Sequence, residues 1–157
     1  MAESNTLDGN KNPFFYVSSS EWNLYDYLST VFREHELPKG VFLLHTLKYL
    51  KSFVTTGKSG HEGKLFRIAR IIIAFPENQF VLLGDNSQRD PEIYAAIAEK
   101  YPQQIAHILI RNVSRDKETA TRAFLKNAEH LGISTCLFAT TQEAIAYCRD
   151  KGLIHDR

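Results

Sequence analysis

Residues 80–91 read FVLLGDNSQRDP, and the rest of the chain is organised around this stretch. It opens with an apolar run typical of a β-strand, breaks at Gly84, presents Asp85 and Asp90, and restarts as a helix at Pro91. Ligands of open α/β sheets bind at the carboxyl ends of the strands, where this loop is expected to lie. Two carboxylates there predict a site for a hard cation such as Mg²⁺. The alternative is a solvated turn, because turns favour the same residue types.

The composition is that of an ordinary globular domain. The 157 residues contain 43% hydrophobic and 24% charged residues, with a formal net charge of +1, which argues against a nucleic-acid binder. No apolar run is long enough to span a membrane, and the N-terminus does not resemble a secretory signal. Cys136 and Cys148 have no metal or redox spacing. They predict reduced thiols and a cytoplasmic protein.

Strand and helix patterns alternate along the whole chain. Residues 1–13 form a polar N-terminal segment, and residues 14–157 are expected to form one domain. The predicted strands are 14–17, 41–44, 80–83, 105–110 and 134–138; the predicted helices are 21–33, 61–75, 91–101, 117–131 and 141–148. Helix 61–75 is apolar enough to be largely buried, and Thr141 is expected to cap the last helix. This alternation predicts an α/β fold with a mostly parallel sheet.

Two further residues are candidates for binding an anion. Ser18 is expected to follow the first strand, with Ser20 as the cap of the next helix, so that its hydroxyl and the following N–H groups form an anion site. Lys64, near the start of helix 61–75, adds a positive charge at the same sheet edge. The alternatives are a simple helix cap and a solvated lysine. Residues 57–59, Gly-Lys-Ser, resemble the end of a P-loop, but Ser52 replaces the first glycine, which predicts a flexible loop.

Three sequence segments resemble motifs II and IV of the haloacid dehalogenase (HAD) superfamily: YVSSSEWNLY at 16–25, FVLLGD at 80–85 and DPEIY at 90–94. They are most similar to the catalytic domain of the actin-patch-protein type of phosphatidate phosphatase, which is related to the lipins, over residues 13–113. The resemblance implies a Rossmann-like three-layer sandwich and magnesium-dependent hydrolysis of a phosphate monoester such as phosphatidate. It implies that Ser18 is the phosphate binder of motif II, Lys64 the lysine of motif III, and Asp85 and Asp90 the acids of motif IV.

The chain departs from this family at the nucleophile. The family carries an Asp-x-Asp pair after a buried strand upstream of motif II, whereas residues 7–10 here read LDGN, with Asp8 alone. The resemblance therefore implies a partial domain whose nucleophile strand is missing, with no activity alone and weak Mg²⁺ binding. It also implies that strands 14–17 and 80–83 each leave an unpaired apolar edge, which an N-terminal segment could complement.

Two other functional classes remain open. The chain could be a non-catalytic α/β module that binds a phosphate or a partner. It could also be a receiver-like signalling domain, which is the weaker alternative because receivers carry an acidic cluster on the first strand. An upstream segment with an Asp-x-Asp pair would favour the enzyme over the binding module.

Overall fold

The computed structural model describes residues 12–45 and 59–154. Within them lie five β-strands and five α-helices in alternating order. Three of the predicted features lie outside the described residues: Asp8, Ser52 and the loop around Gly57 and Lys58. None of the helices in the described part of the chain is long and apolar enough to cross a lipid bilayer.

The order of the elements is the predicted one, but the first strand ends four residues later than predicted and the first helix begins four residues later. The strands are β1 (Phe14–Glu21), β2 (Gly40–His45), β3 (Phe80–Asp85), β4 (Ile105–Arg111) and β5 (Ser134–Phe138). The helices are α1 (Tyr25–Glu34), α2 (Ser59–Ala74), α3 (Asp90–Lys100), α4 (Glu118–His130) and α5 (Thr141–Asp150). Every strand pair is parallel. The prediction of an α/β fold with parallel strands is therefore confirmed.

The chain divides after Arg67 into two compact units. In the first unit, β1 pairs with β2, and α1 packs on them through an aromatic cluster. The ring of Tyr16 lies 4.6 Å from that of Phe32 and 5.3 Å from that of Phe42, and the Tyr16 hydroxyl donates to the Pro38 carbonyl. Edge-to-face and stacked rings add to the free energy gained by burying their area. This cluster explains why β1 and α1 carry so many aromatic residues.

The second unit contains the sheet β3-β4-β5 with β4 in the centre. Ile108, Leu109 and Ile110 are consecutive in β4 and all fully buried, so both faces of this strand are covered. Leu109 packs against α5 in a cluster with Phe138 and Cys148. Because neighbouring side chains on a strand point to opposite faces, Ile108 and Ile110 face the other side, where α3 and α4 pack. Helix, sheet and helix thus form three layers, as in Rossmann-like folds.

The outer strand β3 is covered less completely than β4. Within residues 12–45 and 59–154 its only strand neighbour is β4. Leu82 is buried, but Val81 and Leu83 on the opposite face are 38% and 56% exposed. The expectation that the strand at 80–83 would leave an unpaired apolar edge stays a prediction. Likewise, β1 has β2 as its one strand neighbour among the described residues.

Three local predictions were wrong. Helix α2 is not largely buried, because Phe66 and Ile73 are 62% and 63% exposed while Ile68 and Ile72 on another face are buried. The cap of α5 is Thr140, whose hydroxyl accepts the Glu143 N–H, because the side chain of the preceding extended residue reaches back to the first turn. The third error concerns Ser18 and Ser20, which belong to the candidate site.

Candidate active site

Ser18, Ser19 and Ser20 lie inside β1, at a point where its pairing with β2 is irregular. Val17 pairs with Leu43 and Glu21 with His45, so four steps along β1 match two steps along β2. The extra residues leave the ladder, as in a bulge, and such bulges redirect side chains near functional sites. The prediction that Ser18 follows the end of the strand was therefore wrong in detail.

The serine hydroxyls bond to each other and not to a helix terminus. Ser18 Oγ donates to Ser20 Oγ at 3.0 Å and accepts the Ser20 N–H at 3.1 Å. The helical segment begins later, with a 3-10 turn over Trp22–Leu24 that has no side-chain cap, so the prediction of a Ser20 cap was wrong. The physical reason is that Ser20 is still in extended backbone, too early to reach the N–H groups of that turn.

Helix α2 brings Arg67 to this bulge, a residue that the sequence patterns did not single out. Arg67 Nη2 donates to the Ser18 carbonyl at 3.1 Å. The side chain is partly buried, and this burial lowers the pKa of the Arg67 guanidinium. Lys64 lies one turn earlier in α2 and is partly buried as well. The signal that could have revealed Arg67 is its spacing of three residues from Lys64, which puts both on one side of the helix.

Asp85 is the last residue of β3, where it pairs with Arg111 of β4. Its Oδ1 accepts the Ser87 N–H at 2.7 Å and the Ser87 hydroxyl at 2.5 Å. These two bonds fix the orientation of the carboxylate at the carboxyl end of the strand. The position predicted for Asp85 at this edge of the sheet agrees with the structure.

Asp90 begins α3 and folds back toward the same place. A Cβ atom built on Gly84 would lie 2.6 Å from Asp90 Oδ2 and 3.0 Å from Tyr94 Cε2. The Tyr94 hydroxyl donates to the Leu83 carbonyl at 2.9 Å. Burial, then the charge of Asp90, then that of Asp85 raise the pKa of the Tyr94 hydroxyl. Both carboxylates therefore act on one tyrosine, and the fold brings Asp85 and Asp90 together around Gly84.

The loop between β3 and α3 is anchored by Asn86, which is only 1% exposed. Its Nδ2 donates to Asn112 Oδ1 at 2.7 Å and to the Ser114 carbonyl at 2.9 Å. Its Oδ1 accepts the N–H groups of Val113 and Ser114 at 2.8 and 2.9 Å. A buried amide with both ends bonded is stable, whereas leaving its partners unpaired would cost about 1–3 kcal/mol each. Asn86 thus ties the Asp85 loop to the segment that follows β4.

A lysine immediately before α4 also contacts this loop. Lys117 Nζ donates to the Ser87 carbonyl, and Ser87 in turn binds Asp85. A shallow pocket beside the loop is lined by Arg89, Lys117 and Phe124, among others. Neither Asn86 nor Lys117 was singled out from the sequence, because their partners are distant in the chain and no local pattern reveals them.

The donor set fits a magnesium ion only in part. Asp85 and Asp90 supply carboxylate oxygens, which suit Mg²⁺, and this ion often takes one or two carboxylates with water as its remaining ligands. Among the described residues no group of three or more His, Cys, Asp and Glu side chains could hold a metal. The two acids could therefore supply only part of the ligands that such an ion needs. They belong to the second unit, whereas Ser18 and Lys64 belong to the first.

Comparison with known proteins gives consistent results. A family described as "Phosphatidate phosphatase APP1, catalytic domain" matches residues 2–112. An uncharacterized protein of Schizosaccharomyces pombe is 30% identical over 103 residues, covering 64% of this chain and 16% of that protein. The phosphatidate phosphatase APP1 of Saccharomyces cerevisiae is 34% identical over 99 residues, covering 62% of this chain and 16% of that protein.

The chain thus spans about a sixth of the length of these curated relatives. No solved structure matches it. The family match covers more than half of the chain and includes both the serine bulge of β1 and the acidic loop after β3. The chain therefore belongs to the family of phosphatidate phosphatase APP1 catalytic domains.

Proposed function

We propose that this chain supplies the phosphate-binding and magnesium-binding part of a phosphatase of the HAD type. Its substrate is a phosphate monoester, with phosphatidate as the first candidate because a relative in Saccharomyces cerevisiae is named a phosphatidate phosphatase. The observation that carries the proposal is the convergence of Asp85 and Asp90 at the carboxyl end of β3, around Gly84 and Tyr94. The cytoplasmic location inferred from the two free cysteines is part of the same proposal.

Each candidate residue has a separate role in the proposal. Ser18 and Lys64 bind phosphate oxygens and offset their negative charge. Asp85 and Asp90 would hold the magnesium ion, which stabilises developing negative charge on the phosphoryl group. Tyr94 and Ser87 orient the two carboxylates through the hydrogen bonds and packing described above. These groups bind and stabilise, but none of them is a nucleophile of the kind that the family uses.

The nucleophile must come from outside these residues. The 157 residues contain no Asp-x-Asp pair, although covalent phosphoryl transfer in this family needs one carboxylate to attack phosphorus and a second to protonate the leaving alcohol. We propose that a segment carrying this pair complements the chain by adding a strand beside β3. An added strand would satisfy the backbone groups of that edge and cover the exposed Val81 and Leu83 side chains.

Complementation tests this function directly. The chain is co-expressed with an upstream segment of a family member that carries Asp-x-Asp, and the purified product is assayed on phosphatidate with Mg²⁺. We expect more soluble protein and measurable phosphatase activity. Replacing the first Asp of the segment with Asn should keep the gain in solubility and abolish the activity.

The non-catalytic binding module is the competing function, favoured by the missing nucleophile. It predicts a complex that is stable and soluble yet inactive even in excess Mg²⁺. That result would overturn the proposed catalytic role of Ser18, Lys64, Asp85 and Asp90. A comparison of phosphatidate with a soluble phosphate monoester in the same assay then decides how narrow the substrate class is.

A further inference from the structure

The contacts of Arg67 with the described residues leave part of its buried guanidinium without a hydrogen-bond acceptor. Its Nη2 bonds to the Ser18 carbonyl, but its Nε is buried and has no hydrogen-bond partner among the described residues. A guanidinium offers five N–H donors, and this contact uses only one of them. Removing such a group from water is costly unless an acceptor replaces the water.

An anion is the acceptor that best suits this position. In the described part of the chain no carboxylate forms an ion pair with Arg67, and the cause of its lowered pKa is desolvation alone. The Ser18 and Ser20 hydroxyls lie at the same bulge and can donate to an oxyanion. A guanidinium presents parallel N–H groups that match two oxygens of a phosphate, which an ammonium group cannot do.

We propose that Arg67 binds the phosphate group of the substrate at the Ser18 bulge, as a second cation beside Lys64. This inference rests on the proposed function and adds a specificity-determining residue to its site. A phosphate monoester presents three free oxygens and about two negative charges, whereas a diester presents two oxygens and a single charge. A second cation beside Lys64 therefore favours a monoester over a diester. Its bond to the Ser18 carbonyl holds the guanidinium in place before the phosphate arrives.

The first experiment uses the unaltered 157-residue chain. Its arginines are modified with phenylglyoxal, and the modified peptides are quantified by mass spectrometry with and without inorganic phosphate. At phosphate about four times its dissociation constant, occupancy should slow modification of Arg67 about fivefold. Arg70, which is exposed on the same helix, is the internal control and should change less than about twofold. Equal rates at Arg67 with and without phosphate would overturn the inference.

The second experiment compares variants by calorimetric titration with inorganic phosphate. Arg67→Gln should weaken phosphate binding about tenfold, Arg67→Lys less, and the matched Arg70→Gln hardly at all. If Arg67→Gln fails to fold, the modification experiment decides alone, because it needs no variant. A diester such as dimethyl phosphate should protect Arg67 much less than inorganic phosphate, and equal protection would refute the selection of monoesters.

The outcomes separate this inference from the proposed function. One outcome is that the complemented chain hydrolyses phosphatidate, but inorganic phosphate does not slow the modification of Arg67. This result refutes only the proposed role of Arg67. A second outcome is that the complemented chain stays inactive, but inorganic phosphate slows the modification of Arg67. This result refutes the catalytic proposal, whereas the phosphate site at Arg67 stands. Protection of Arg67 by the complementing segment without phosphate would show that a carboxylate of that segment is its partner, which also refutes the inference.

Discussion

Gly84 allows the Asp90 carboxylate to lie against the end of β3. Because glycine has no Cβ, the Asp90 side chain and the Tyr94 ring can both approach the backbone there. The same approach lets the Tyr94 hydroxyl reach the Leu83 carbonyl. The spacing between the two acids therefore depends on a residue that has no side chain of its own.

Replacing Gly84 with Ala should displace Asp90 and Tyr94 and destabilise the chain by about 1–3 kcal/mol, because the new Cβ overlaps both. Urea denaturation followed by circular dichroism measures this change. The matched control is Gly63→Ala in α2, where the added Cβ meets only the flexible end of Arg67. It should be neutral or stabilise by up to about 1 kcal/mol. Equal destabilisation by both variants would contradict the argument.

His107 should make the stability of the chain depend on pH. Its Nδ1 lies 2.9 Å from the Tyr147 hydroxyl, and burial, followed by the positive charge of Lys151, lowers the pKa of His107 below its usual 6.5. The folded chain therefore favours the neutral ring. Its contribution to stability is present above pH 6.5 and is lost as the pH falls toward the lower folded pKa.

Thermal melts at several pH values between about 7.5 and 5 test this expectation for His107. The melting temperature should fall with pH in the unaltered chain and fall less in His107→Gln. His130→Gln, at the exposed end of α4, serves as the control and should follow the unaltered chain. If the His107 variant loses stability with acid as steeply as the control, another group is responsible.

At the scale of elements, the loop between β3 and α3 is held from both sides. Asn86 ties it to the segment after β4, and Lys117, the residue before α4, contacts it at the Ser87 carbonyl. A loop restrained in this way can keep two carboxylates close although they repel each other. The proposed magnesium ion would take carboxylate oxygens from these two acids and would need further ligands, such as water.

The chain should bind Mg²⁺ weakly, with a dissociation constant on the order of millimolar, because two carboxylates leave most ligands to water. Asp85→Asn should abolish the binding, whereas Asp26→Asn in the exposed first turn of α1 should not change it. Isothermal titration calorimetry measures both. A micromolar affinity in the unaltered chain would mean that further ligands complete the site.

At the scale of the whole molecule, the two units differ in how well they are packed. Among the residues that the structure describes, most of the buried ones belong to the second unit, around β4, whereas Leu44 is the sole buried hydrophobic residue between Asn12 and His45. The first unit relies on its aromatic cluster, and Trp22 and Tyr27 are 55% and 67% exposed. Unfolding is therefore expected to begin in the first unit.

The chain by itself should have no phosphatase activity, since in the proposed function Ser18, Lys64 and a magnesium ion position a phosphate but do not attack it. The assay uses Mg²⁺ with a generic phosphate ester and with phosphatidate. Asp8→Asn provides the control, because Asp8 is the single upstream aspartate. Turnover that disappears in this variant would identify Asp8 as the nucleophile and refute the need for a complementing segment.

The sequence by itself was enough to predict the order of strands and helices, the parallel pairing and the family. These features follow from short-range patterns: apolar runs of strand length, helical spacing of apolar residues, and the sequence motifs around Ser18 and Asp85. The range 134–138 was predicted to the residue, and Gly132 closes α4 with a positive φ of 83°, as its position predicted. Local chemistry decides such features, so they can be read without knowing the fold.

The tertiary structure alone decided which side chains meet. Arg67 contacts Ser18 across 49 positions of sequence, Asn86 binds a loop 28 positions away, and Asp90 reaches back over Gly84. It also decided that Ile73 is exposed and that the bulge carries Ser18 and Ser20 out of the ladder. These features depend on how elements pack and on the register of neighbouring strands. No local pattern encodes either one, because the same residues fit several registers until distant neighbours select one.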